Sequence, residues 1–231
     1  MYTELPVSII VTCHNLHDYL PECVESLKNQ TMTPTEIVIV HDGCTPPPVF
    51  PDTKLVIYPH NRGVGYARNQ GVAVADGDYI LFVDADDCLN EYFLEAMLKT
   101  QQQYREQAKI CNIIYPNVLL WSSWRKDVPM KNAWHESPDQ ITMKNMMEFN
   151  QIVISSLIPK WIYTIMGGMK DEPILEDYAF WLRCVRDQLE FVKSPQSVLK
   201  YRQRANGRNR KNHELKNKWY YKIREEYESQ S

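Results

Sequence analysis

Short apolar runs recur along the first ninety residues, and each ends in polar side chains. Val7 to Thr12 (VSIIVT), Glu36 to Val40 (EIVIV) and Tyr79 to Val83 (YILFV) are apolar at successive rather than alternate positions. That pattern predicts strands buried on both faces. Lys54 to Tyr58 predicts a shorter strand. Between the first two runs, Leu20, Val24 and Leu27 recur at helical spacing through about Asn29, with Asp18 as a candidate N-cap and Pro21 and Glu22 in the opening turn. Tyr66 to Ala75 predicts a second helix with a face of small residues, Ala67, Gly71 and Ala75. Buried strands alternating with helices predict an α/β fold of Rossmann type, with a mostly parallel central sheet and helices on both faces. In such a sheet, ligands bind beyond the carboxyl ends of the strands.

The second half is less regular. Asn90 to about Ala108 predicts a long amphipathic helix, and Cys111 to Leu120 a strand. Trp121 to Ser137 is irregular and carries Trp121, Trp124 and Trp134, which read as packing groups or as a platform for stacking a sugar. Ile141 to Asn150 predicts a Met-rich helix. Apolar runs from Ile152 to Ile165 surround Pro159 and stop at Gly167-Gly168. Glu176 to Asp187 predicts a helix with two acids in its first turn, where the helix dipole favours them in any case. Phe191 to Val198 predicts a last strand. Cys44 to Pro51 cannot be helical, because its four prolines fix φ and remove donors.

The acids sharpen this picture. Asp84, Asp86 and Asp87 crowd the end of the Tyr79 strand. An ionised carboxylate is costly to bury without a partner, so the cluster reads either as an acidic turn or as a cation site. Oxygen ligands favour Mg²⁺ or Mn²⁺, which share their coordination shell with substrate phosphates. Thr12 and Asn15 follow the first strand and Asp42 the second, so three separate loops bring polar groups to one predicted sheet edge. Asn61 to Gly65 (NRGVG) reads as a plain turn or as a phosphate-binding approach to a helix N-terminus, with Arg62 and Arg68 adding charge.

At 231 residues, with 44% hydrophobic and 11% aromatic, the chain can fill the core of one large domain, with or without a small appendage. The net charge of −3 argues for neither a DNA-coating protein nor an acidic tail. Charge is uneven, however: Lys200 to Arg224 holds ten Lys or Arg against one acid, Glu214. This tail reads as a solvated face or as a clamp over a diphosphate or an anionic acceptor. Cys13, Cys23, Cys44, Cys88, Cys111 and Cys184 form no CxxC pair, which suits reduced thiols better than a disulfide framework or a zinc site. No basic leader and no run near ~20 apolar residues is present, which leads to the expectation of a soluble cytoplasmic chain, free to visit a membrane surface.

VSIIVTCHN, the helix ending SLKNQT, EIVIVHDG, NRGVGYARNQGVAVADGDYILFVDADD, and GG followed by LEDYAFWLR together resemble the family 2 glycosyltransferases of GT-A fold. The resemblance runs from Pro6 to Tyr201 with the motifs in order. It implies a metal-dependent, inverting transfer of a sugar from a nucleotide-sugar donor, usually UDP-linked, to a saccharide, lipid-linked or other hydroxyl acceptor. By position it sets Thr12 and Asn15 near the nucleobase and Asp42 on a base N–H. Asp84 falls near the ribose or donor sugar and beside the metal, Asp86 on the metal, and Asp87 on either. Arg68 falls on the donor side. Asp177 matches the general base, with Glu176 beside it, and His213 is a candidate further metal ligand. Residues 1–110 then form the nucleotide-sugar half, 111–200 the acceptor half and 201–231 a tail that is basic, then acidic. The chain departs from the family in three places. HDGC stands for the usual DDGS, a proline loop replaces the next helix, and the acceptor half is short.

Two other readings stay open. A nucleotidyltransferase would carry a Gly- and Arg/Lys-rich signature near the first strand, and VSIIVTCHN has none. A non-catalytic nucleotide-sugar-binding relative would tolerate His41 but has no need of so many acids. The basic tail also leaves room for a nucleic acid or an anionic lipid carrier as acceptor, with Arg204, Arg208 and Arg210 as the contacts.

Overall fold

The computed structural model describes residues 5–43, 49–107, 113–121, 133–204 and 213–228. The sheet begins with β1 (Val7–Cys13), β2 (Glu36–Asp42), β3 (Lys54–Tyr58) and β4 (Tyr79–Asp84), which lie in the order β3-β2-β1-β4 and pair in parallel. The crossovers are α1 (Leu20–Lys28) between β1 and β2, and α2 (Val64–Val74) between β3 and β4. Strand order reverses between β1 and β4, and beyond the carboxyl ends of the strands at such a reversal is where open α/β sheets bind ligands.

Beyond β4 the sheet becomes mixed. β5 (Cys88–Leu89), α3 (Phe93–Glu106), β6 (Ile113–Trp121), β7 (Ala133–His135), α4 (Met143–Glu148), β8 (Leu157–Pro159), α5 (Lys160–Ile165), α6 (Glu176–Arg186), β9 (Phe191–Arg202) and α7 (His213–Glu228) complete the described elements. The path runs β4-β8-β6-β9-β5, with β7 on β6. β8 is antiparallel to both β4 and β6, and β6 pairs in parallel with β9 across a register shift at Pro116/Asn117.

The unbroken apolar runs have a simple cause. In β1, Ile10 faces one core with Ala67 and Val72 of α2 and with Tyr178 to Leu182 of α6. Its neighbours Ile9 and Val11 face a second core with Leu20, Val24 and Leu27 of α1 and Phe93, Leu94 and Met97 of α3. β4 divides in the same way, with Ile80 and Phe82 on the first side and Leu81 and Val83 on the second. The small-residue face of α2 lets that helix lie against β1 and β2. A Cβ on Gly71 would meet Val40 Cγ2 at 3.2 Å and would overlap Ile10.

Several boundaries differ from the sequence reading. Tyr19, not Asp18, is the N-cap of α1, and no side chain caps it; Pro in the first turn already lacks an N–H in need of a partner. α2 starts two residues earlier than Tyr66, because Gly63, at φ 93°, forms the cap. β9 continues past Val198 to Arg202, since β6 and β5 lie on its two sides and give this stretch partners. Trp124, Arg208 and Arg210 lie outside the described residues.

Candidate active site

Strand register brings the polar residues into one row. Thr12 of β1 stands beside Asp84 of β4, and Cys13 stands beside His41 of β2. The Thr12 hydroxyl donates to Asp84 Oδ1 at 3.2 Å. Arg68, 2% exposed on α2, reaches the same carboxylate: its Nη2 donates to Asp84 Oδ1 at 2.9 Å and its Nη1 to Glu176 Oε1 at 2.6 Å. Glu176 is itself 1% exposed. Burial on its own disfavours the Arg68 charge. The surrounding Asp84, Glu176 and Asp177 more than offset this and hold the guanidinium above its ordinary pKa.

α6 is entered through Leu175 at φ 64°, a left-handed conformation rare for a branched residue. This turn sends Glu176 under Arg68 and leaves Asp177 half-buried, accepting a hydrogen bond from Asn150 Nδ2 at 3.2 Å. The two acids therefore differ. Glu176 is the inner half of an ion pair; Asp177 retains access. Asn69 braces this region from α2, donating to the Met169 carbonyl at 2.7 Å and accepting from the Met169 N–H at 3.0 Å, just after the Gly167-Gly168 turn.

Asp42 is 3% exposed. Its carboxylate accepts the backbone N–H groups of Arg62 at 2.8 Å and of Gly63 at 2.9 Å, so the NRG loop folds onto it. Gly43, at φ 66°, permits this approach, because a Cβ there would overlap the Asn61 backbone. His14 Nδ1–H donates to the Asp42 carbonyl at 2.5 Å, and Asn15 Nδ2 and Asn61 Nδ2 donate to His14 Nε2 at 3.0 and 3.1 Å. Asn15 is exposed with φ 54°, a conformation Asn tolerates. The Arg62 guanidinium lies over the Tyr66 ring, 4.0 Å from its centre.

The other two acids meet Arg202, the last residue of β9, and Arg204 just beyond it. Arg204 Nε donates to Asp86 Oδ2 at 2.5 Å. Arg202, 4% exposed, donates its backbone N–H to Asp87 Oδ1 at 2.8 Å, its Nε to the Asp86 carbonyl at 2.6 Å and its Nη2 to Glu22 Oε2 at 2.6 Å. Its guanidinium also lies over the Trp121 ring at 4.3 Å. Burial raises the Asp86 carboxyl above the usual range, and Asp84 adds to this while Arg204 opposes it. Asp87 is raised well above that range by burial, then by Asp86 and Asp84. Asp86 and Asp87 are nearly buried oxygen donors, the ligand type a hard cation takes, and Asp86 already faces a guanidinium. They are not a ready-made cage: among the described residues, the set of His, Cys or acid ligand atoms that converge within 4.8 Å is Cys13, His17 and His41.

The sequence reading singled out neither Arg202 nor Asn69 and named Arg204 only as an acceptor contact. The basic YRQR of the tail was the available signal for the arginines. The His213 side chain lies outside the described residues.

A family model described as glycosyl transferase family 2 matches residues 8–158. The chain belongs to that family. It is 38% identical over 150 residues to the putative glycosyltransferase EpsH of Bacillus subtilis, covering 62% of this chain and 43% of that protein. It is 30% identical over 120 residues to the glycosyltransferase GlyA of Streptococcus pneumoniae, covering 48% of this chain and 17% of that one. The chain thus spans less than half the length of either relative. Among solved structures, Staphylococcus aureus TarS 1-349 in complex with UDP-GlcNAc has a similar fold, with TM-score 0.68 at 18% identity over 87% of this chain and 60% of that one. The same TarS segment bound to UDP gives TM-score 0.66 at 18% identity, covering 86% of this chain and 60% of that one. No described helix is long and apolar enough to cross a membrane.

Proposed function

We propose that this chain is an inverting, metal-dependent glycosyltransferase that takes a UDP-sugar as donor and an acceptor hydroxyl as nucleophile. The observation that carries the reading is the buried Arg68, which joins the donor-side Asp84 to the first turn of α6, where Asp177 stands. A displacement at the anomeric carbon needs leaving-group groups on one side and a proton acceptor on the other. Here they come from distant parts of the chain held together by one guanidinium. The UDP and UDP-GlcNAc complexes of TarS support the donor class.

In this reading residues 1–110 bind the donor and 111–200 the acceptor. Thr12 and Asn15 line the nucleobase side, and Asp42 orders the loop around the base through its two backbone N–H contacts. Asp84 positions the ribose or donor sugar. Asp86, with Asp84 or Asp87, holds Mn²⁺ or Mg²⁺. That ion, when bound, offsets charge developing on the diphosphate. Asp177 takes the proton from the acceptor hydroxyl as it attacks, and the Asn150 contact orients the carboxylate. Glu176 is taken up in holding Arg68, so the base role rests on Asp177 alone. Water exclusion falls to Trp121 and the Arg202–Arg204 segment beside the acids.

The test is turnover of a panel of nucleotide sugars with Mn²⁺ or Mg²⁺. Asp177→Asn should lose transfer while still binding donor. Retained transfer in that variant removes Asp177 from the mechanism, and binding without turnover across the panel favours the non-catalytic relative.

A further inference from the structure

A second cluster lies at the carboxyl ends of β1 and β2, apart from the acids that follow β4. Cys13 closes β1 and is 1% exposed; His41, its register partner on β2, is fully buried. His17 comes from the turn into α1, four residues after Cys13. The two imidazole rings stand 5.6 Å apart at 42°. One ligand atom from each of the three residues lies within 4.8 Å of the others. His17 Nε2 is buried and has no hydrogen-bond partner among the described residues.

We infer that Cys13, His17 and His41 form a binding site for a zinc-class divalent ion, separate from the carboxylate site for Mg²⁺ or Mn²⁺. A thiolate with two imidazoles selects borderline-soft ions such as Zn²⁺ or Co²⁺, whereas the oxygen set at Asp84, Asp86 and Asp87 selects hard ones. Ligands at Zn²⁺ bond lengths sit roughly 3.3–3.8 Å from one another in a tetrahedron. Closing from 4.8 Å therefore asks for a movement of about 1 Å, which the half-buried His17 can supply by rotating its side chain. Three protein ligands leave a fourth position for water. On binding, the Cys13 thiol gives up its proton to solvent, so one proton is released per ion at neutral pH.

The consequence is mechanical. The ion ties the ends of β1 and β2 to the loop that carries His14 and Asn15. His14 already holds the Asp42 carbonyl, so the site sets the order of the base-side loop. A paired-cysteine search misses this arrangement, because one ligand arrives from a different strand.

The experiment uses the full chain, stripped with a chelator and titrated with Co²⁺, read by absorption. The expected result is one equivalent that carries thiolate-to-cobalt charge transfer in the near ultraviolet and tetrahedral d–d bands and is displaced by Zn²⁺, whatever further Co²⁺ the carboxylates take. Cys13→Ser should remove the charge-transfer band. His17→Asn, at a half-buried position where folding is readily checked by circular dichroism, should weaken binding by more than about 100-fold, beyond what loss of an outer-shell partner costs. Asp86→Asn should leave the spectrum unchanged. Absence of the charge-transfer band in the parent protein, its survival in Cys13→Ser, or undiminished affinity in a folded His17→Asn would overturn the site. These readouts are independent of sugar transfer.

Discussion

Replacing Arg68 by methionine gives the sharpest stability test of the site. The Arg68 side chain is 3% exposed and its partner Glu176 is 1% exposed, so removing the guanidinium strands a carboxylate in the protein interior. Breaking a buried pair by deleting one partner costs about 3–5 kcal/mol. Asp84, 34% exposed, is screened by water and adds less than about 1 kcal/mol. For a chain of this length each kcal/mol moves Tm by about 2–4 °C, so Arg68→Met should lower Tm by about 6–20 °C at pH 7. The assay is calorimetric melting of four proteins: the parent, Arg68→Met, Glu176→Gln and the double variant. Adding Glu176→Gln to Arg68→Met removes the stranded charge and should recover at least about half of the loss. A Tm for Arg68→Met within 2 °C of the parent, or a double variant no better than the single, would refute a buried pair that braces α6 against β4.

Other perturbations read other parts of the site. Asp177→Asn should cut turnover about 10²–10⁴-fold, the usual contribution of a positioned base, with little change in Tm because the residue is half-buried; steady-state kinetics and melting check both. Arg204→Gln frees Asp86 from a charge-assisted bond worth about 1.5–3 kcal/mol, so Mn²⁺ should bind about 10–100-fold tighter by calorimetric titration; weaker binding would mean that Arg204 helps hold the ion. Asp87 has its folded-state pKa raised, so its contribution to metal-free stability is present below the ordinary Asp value and is lost as pH rises through the folded value. Asp87→Asn should therefore stabilise the metal-free protein at pH 7 and flatten the decline in urea midpoint from about pH 4 upward. Gly71→Val should cost about 1–3 kcal/mol in urea unfolding, because its side chain would enter space held by Ile10 and Val40.

The first half of the fold was legible because its signal is local. Val7–Thr12, Glu36–Val40 and Tyr79–Val83 are apolar on both faces, and the structure covers both faces with helices. The acids at Asp84, Asp86 and Asp87 stood out for the same reason, as polar groups closing a buried strand. β8 was not legible: three residues ending in Pro159 carry too little periodicity, and only pairing with β4 and β6 makes them a strand. The family resemblance matched Asp177 to the general base with Glu176 beside it, but no local pattern assigned Glu176 a partner. Their difference comes from Leu175, whose left-handed backbone turns one acid inward to Arg68, 108 residues away in sequence. The Arg202 contacts with Asp86, Asp87 and Glu22 span 115 residues or more, a distance no local pattern encodes. HDGC in place of DDGS was visible as a departure, and the structure sets His41 beside Cys13 in the strand register, which the sequence did not indicate.

The central claim is that the crevice beyond β1 and β4 binds a nucleotide sugar through a divalent ion held at Asp86. Melting the full chain with UDP-sugars in Mn²⁺, in EDTA, and with Asp86→Ala tests it most directly. A ligand at 100 times its Kd stabilises by about 2.7 kcal/mol, so one member of the panel should raise Tm by about 5–11 °C in Mn²⁺. That rise should vanish in EDTA and in Asp86→Ala. A panel that moves Tm nowhere, or a rise that survives both EDTA and the loss of Asp86, would contradict it.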